Sequence, residues 1–98
     1  MATHVVVIAV DLESGSFSYS QPVVAARVDD TVVWNFNGGP FAIRFARLSP
    51  LTRGYMFGTG QLSAVVRPNM PLGRYKYLVA VSIYGKTFVD DPEIMILE

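Results

Sequence analysis

The chain has 98 residues, 51% of them hydrophobic and only 16% charged, enough for one core and too few for two. Its composition excludes disorder, and eight basic residues balancing eight acidic ones leave no net field to draw nucleic acid or anionic membrane. It contains no cysteine and a single histidine, His4, which removes disulfides, thiolate chemistry and cysteine-based metal sites together.

Residues 5–10 are β-branched and apolar on both faces, the pattern of a covered central strand. The run has no basic flank or cleavage site and is too short to span a membrane, so it reads as a strand rather than a signal peptide, with cytoplasm as the default compartment and export the alternative if the N-terminus is a processed one. Glu13-Ser14-Gly15-Ser16 breaks it. Residues 17–20 give a short alternating piece, and Pro22 then predicts an edge strand or a bend. Residues 23–28 and 31–36 flank Asp29-Asp30, a tight-turn signal between two strands. Asn37-Gly38-Gly39-Pro40 reads as a loop, and residues 41–45 alternate so that one face is solvated. Residues 48–60 read as a long connection punctuated by Pro50, Gly54, Gly58 and Gly60. Strand returns at 61–67, and Pro68, Pro71 and Gly73 mark the next turn. Residues 74–84 form the longest strand candidate, with Tyr75, Tyr77, Val79 and Val81 on one face. Gly85-Lys86 turns into 87–89, and Asp90-Asp91-Pro92 leads to a closing strand over 93–98. Seven to nine short strands with frequent turns and no helix (counts approximate) predict an all-β, antiparallel Greek-key β-sandwich.

Several stretches resemble one family. Phe17-Ser18-Tyr19-Ser20-Gln21-Pro22-Val23-Val24, followed by Val28-Asp29-Asp30-Thr31-Val32-Val33-Trp34, is similar to the cupredoxin (blue-copper) run from an aromatic strand into a Gly-Asp-Thr-Val-x-Trp-like motif. Asp29 stands where that family usually carries glycine. Asn37-Gly38-Gly39-Pro40-Phe41-Ala42-Ile43-Arg44-Phe45 resembles the Pro-His-Asn-Val-x-Phe ligand segment, with Phe41 in place of the first copper histidine. Gly73-Arg74-Tyr75-Lys76-Tyr77-Leu78-Val79-Ala80-Val81-Ser82 resembles the Gly-x-Tyr-x-Phe-x-Cys-x-x-His segment, with Val79 at the cysteine position and Ser82 at the second histidine. Tyr84-Gly85-Lys86 occupies the loop in which an axial ligand would follow. The resemblance runs from Phe17 to Leu97 and implies a cupredoxin-like sandwich whose copper site is gone. A blue-copper centre needs a thiolate, two imidazoles and a weak axial ligand, and these residues cannot assemble one, so no cofactor is expected.

What remains is scaffold and surface. Trp34 suits the core between sheets. Phe41 either points inward and plugs the old metal cavity or points outward and adds to a surface patch. His4, alone in a β-branched strand, reads as a satisfied or exposed strand residue rather than a ligand. The acidic pairs Asp29-Asp30 and Asp90-Asp91 sit in turns, where local hydrogen bonds account for them. Residues 54–60 are glycine-rich without the lysine and helix start of a phosphate loop, no serine carries a nucleophile-elbow pattern, and the chain reads as non-enzymatic. The strongest functional signal is Arg44, Arg47 and Arg53 with Tyr55, Met56 and Phe57, residue types enriched at protein interfaces. Two readings of it stay open: a binding surface, or Tyr55 and Phe57 folded back over the core as a cap with the arginines solvated. A single-stranded nucleic acid would use arginines and aromatics too, but zero net charge disfavours it. Residues 5–10 and 78–83, apolar on both faces, predict cover by a protein partner or by a second copy, most simply in a homodimer.

Overall fold

The computed structural model describes all residues from Met1 to Glu98. Eight strands form: β1 (Thr3–Val10), β2 (Phe17–Tyr19), β3 (Val23–Ala26), β4 (Thr31–Phe45), β5 (Tyr55–Val65), β6 (Gly73–Ile83), β7 (Lys86–Asp90) and β8 (Glu93–Ile96). They curl in the order β2-β1-β4-β6-β8-β3, with β5 on β4 and β7 on β6. The ladders are antiparallel except β1–β4 and β3–β8, which are parallel. The result is an all-β sandwich, as the strand pattern and turn spacing require.

The long strand β4 organises it. Its first part, residues 31–35, pairs with β1, and its last, residues 41–45, pairs with β6, while β5 follows it through both parts. The loop expected at Asn37-Gly38-Gly39-Pro40 is instead an irregularity within this one strand, where the register against β5 shifts. Two glycines make that possible. A Cβ on Gly38 would lie 2.6 Å from the Phe36 ring, and Gly39, at φ +152°, leaves no space for one against the carbonyl oxygen of Ser82. Backbone therefore packs on backbone, and the strand bulges rather than turning back.

Three further expectations change. The Asp29-Asp30 turn exists, with the Asp30 N–H donating to the Arg27 carbonyl, but it does not join a hairpin. β3 pairs with β8, and the turn passes the chain across to β4. Asp29 takes φ +69° there, a conformation that costs glycine nothing, which explains why the cupredoxin pattern carries glycine at this place. The 48–60 connection is shorter than expected, because β5 begins at Tyr55 and takes in Gly58 and Gly60 opposite Phe41 and Phe36. Finally, β1 is central in its sheet yet covered on one side only. Val6 and Ile8 are buried, while Val5 and Val7 remain 40% and 47% exposed. Alternation at period two gives β1 one face for the core and leaves its valines facing outward.

The inward faces make one apolar cluster that includes Trp34, Phe41, Ile43, Met56, Val79 and Ile94. Trp34 Nε1 donates to the Tyr77 hydroxyl at 3.1 Å, and the rings meet edge-on at 5.4 Å. Burial pushes the Tyr77 hydroxyl up to about 12. Tyr19 donates to Asp90 Oδ2 at 2.6 Å and ties β2 to β7; burial and that carboxylate both raise it.

A buried carboxylate locks the opposite end. Asp30 accepts from the Ala2 N–H at 2.8 Å, from His4 Nε2 at 2.8 Å and from the Arg27 N–H at 3.0 Å. Its backbone meanwhile bonds to Val66 of the segment after β5. His4 is thus a satisfied strand residue. The Ala2 N–H first, then His4 and the Arg27 N–H, hold the Asp30 carboxyl well below the usual carboxylate range. A depressed carboxylate stabilises the fold above its unfolded value, near 4, and loses that contribution as pH falls toward its folded value. Asp30→Ala is expected to cost on the order of 1–3 kcal/mol at neutral pH by leaving donors unpaired. Urea denaturation should show the gap between native and variant narrowing steadily below about pH 4; a gap independent of pH would contradict the assignment.

Candidate functional site

Two places could carry function: the corner where a copper ion sits in the fold family that the sequence resembles, and the outward face of the sheet next to it. Phe41 is 1% exposed and points inward, edge-on to Phe36 with ring centroids 5.8 Å apart. It lies opposite Val81 on β6. Val79, fully buried, lies opposite Ile43 one step along the same face. Ser82 lies on the other side of β6, partly exposed, between buried Val81 and Ile83. The three positions therefore do not converge. Two are core, the third faces out, and nowhere do three histidine, cysteine, aspartate or glutamate side chains come together. Of the two readings of Phe41, the inward plug is the one observed. Its ring supplies packing contacts that the corner would otherwise lack.

The outward face is built by alternation. On β4 the inward residues are Phe41, Ile43 and Phe45, so Ala42 and Arg44 face out. Ladder register sets Phe57 of β5 opposite Ala42, Ala42 opposite Ala80 of β6, and Ala80 opposite Val89 of β7. One apolar row thus crosses all four strands. Beside it, Tyr55 lies opposite Arg44, and Arg44 opposite Leu78. Phe57 is 64% exposed, Val89 60%, Tyr55 59% and Leu78 41%. Tyr55 and Phe57 do not fold back as a cap. They stand on a regular strand whose next residue inward, Met56, is fully buried.

Met56 is thereby corrected from surface candidate to core residue, because it occupies the inward phase of a strand where the sequence suggested a loop. Arg44, Arg47 and Arg53 are exposed, and the ion pairs of the structure are formed by other residues: His4–Asp30, Arg74–Glu93 and Lys76–Asp91. Arg44 and Leu78 share a shallow depression with Ala46. Arg53 and Arg47 lie outside the strands, in the 46–54 connection that Ser49 braces by donating to the Arg53 carbonyl at 3.0 Å. Ala42 and Val89 were not singled out in the sequence, and Leu78 and Ala80 were marked only as part of the doubly apolar run 78–83. The signal for each was its alternation within a strand, but only cross-strand register joins them.

No family model and no curated protein matches the chain. Among solved structures it is similar to a point variant of amicyanin in its reduced Cu(I) form at pH 4, with 19% identity over 97% of this chain and 82% of that one and a TM-score of 0.58. A Sinorhizobium pseudoazurin gives 16% identity over 100% of this chain and 76% of that one, with a TM-score of 0.55. At such identities the likeness is one of fold. The chain is a cupredoxin-like β-sandwich that lacks the copper ligands.

If Phe41 is a structural plug, emptying the corner is costly. Phe41→Ala is expected to lose about 3–5 kcal/mol in urea denaturation. A loss below about 1 kcal/mol would mean that the corner is slack and that Phe41 does not seal it.

Proposed function

We propose that this domain is non-catalytic and works by binding protein, through the outward face of β5, β4, β6 and β7. The observation that carries the reading is the row Phe57, Ala42, Ala80 and Val89, flanked by Tyr55 and Leu78. A sandwich normally turns polar side chains outward, and contiguous exposed apolar surface marks interaction sites. Covering each of the large side chains contributes up to about 1.5–3 kcal/mol. Arg44 within the face, and Arg53 and Arg47 in the adjoining connection, carry no acidic partner within the chain. The partner they suit is a protein surface with an apolar centre and carboxylates on the arginine side. The only histidine is bound up with Asp30, which supports the non-catalytic part. Self-association belongs to the same reading, through pairing of strand edges that leaves the outward face open to the partner.

Phe57→Glu combined with Val89→Glu alters the face without touching the core. The melting temperature should stay within a few degrees of the native value, as for exposed substitutions generally. Complexes trapped by chemical cross-linking in an extract of the source cells should fall by about tenfold or more, as when apolar anchors are lost. Equal trapping by both proteins would count against the face.

A further inference from the structure

We propose that the open edge of β5 is where two copies of this chain join, antiparallel about a two-fold axis, so that their sheets continue into one another. The proposal deepens the self-association part of the reading above and rests on it. β5 pairs with β4 alone, leaving its other edge unpaired. That edge is closed only at its end: the Val65 N–H donates to Thr52 Oγ1 at 3.2 Å, and the Val65 carbonyl accepts from the Thr52 N–H at 2.8 Å. From Tyr55 to Ser63 no second strand pairs with it, and this stretch contains no charged residue and no proline.

The other edges differ. β7 carries Lys86 and Asp90 and runs into Asp91-Pro92; β2 has three residues and is followed closely by Pro22; β3 has four, held between Pro22 and Arg27. Charge, proline and shortness are among the devices, with bulges, by which proteins keep strand edges from pairing. β5, the longest free edge, has none of those three, and its one irregularity lies at Gly58–Gly60, opposite the bulge of β4.

One residue of the stretch, Gly60 at φ +79°, departs from extended backbone, and as a glycine it does so without a side chain. The stretch is also compatible with its own copy. With the axis near Thr59, Tyr55 of each copy faces Ser63 of the other, and Phe57 faces Gln61, so each aromatic ring lies over a small or polar side chain. Arg44, opposite Tyr55, is then about 25 Å along the strands from its equivalent at 3.3 Å per residue, well beyond a Debye length of about 8 Å. An axis perpendicular to the sheet keeps the outward faces on one side. The apolar rows of the two copies thus become parts of one surface, and a partner meets them together.

The test is sedimentation velocity from low to high micromolar protein, combined with hydrogen exchange of the β5 amides at both extremes. Native protein is expected to pass from monomer to dimer, with concentration-dependent protection confined to residues 55–63. Thr59→Lys with Gln61→Lys should remain monomeric, while Thr59→Ser with Gln61→Asn, and separately Thr87→Lys on the β7 edge, should still dimerise. Melting curves establish that each variant is folded. A native monomer at every concentration would overturn both the edge and the self-association reading. A dimer whose protected amides lie elsewhere, or one that the lysine pair leaves intact, would overturn the edge alone.

Discussion

The change of partner along β4 is the constraint on which the rest of the structure depends. A strand that serves β1 at one end and β6 at the other must bend where the two meet, and here it bends through Gly38 and Gly39, one beneath the Phe36 ring and the other against the Ser82 carbonyl. Once the strand resumes at Phe41, its phase is fixed. Phe41, Ile43 and Phe45 go inward, and Ala42 and Arg44 go outward. The sealed corner and the apolar face are thus two sides of the same five residues. A Cβ at Gly39 would push β4 off β6 and disturb both.

A thiolate and two imidazoles would hold a metal by bonds stronger than any packing contact. Of the positions that the sequence resemblance matches to copper ligands, Phe41 and Val79 belong to the core and Ser82 faces outward. The sandwich is held instead by aromatic packing across the sheets and by two polar locks. Trp34 with Tyr77 binds β4 to β6, and Asp30 with Ala2, His4 and Arg27 fastens the start of β1 to the β3–β4 turn. A buried carboxylate with its donors satisfied favours this pairing of the segments, since leaving it unpaired would be costly.

Much of this was legible in the sequence, for physical reasons that differ by element. The inward positions of β6 follow from placing Tyr77, Val79 and Val81 on one face of a single strand, and a turn at Asp29-Asp30 follows from its acidic pair, although its left-handed Asp29 shows only in the structure. Phe41 was one of two alternatives in the sequence, with the inward plug favoured because close-packed cores leave few voids. The strand at Tyr55–Gly60 was hidden by its glycines, which signal a loop unless a neighbouring strand satisfies their backbone. Val5 and Val7 misled in the other direction: a continuous β-branched run reads as covered, whereas here its outer half faces solvent. The assembly of the outward row was beyond reach of the sequence, although Phe57 and the run 78–83 were marked. Phe57, Ala42, Ala80 and Val89 are far apart along the chain and meet only through ladder register, which depends on the bulge in β4.

The central claim is that the exposed row on β5, β4, β6 and β7 is the working surface of a copper-free scaffold. Hydroxyl-radical footprinting of the protein, purified and again in an extract of the source cells, tests it most directly. The account predicts that Tyr55, Phe57, Leu78 and Val89 react freely in the purified protein at low concentration and are protected together in the extract, while Tyr84, 92% exposed at the β6–β7 turn, reacts equally in both. Unchanged reactivity across those four residues, or protection appearing instead on the outer valines of β1, would contradict it.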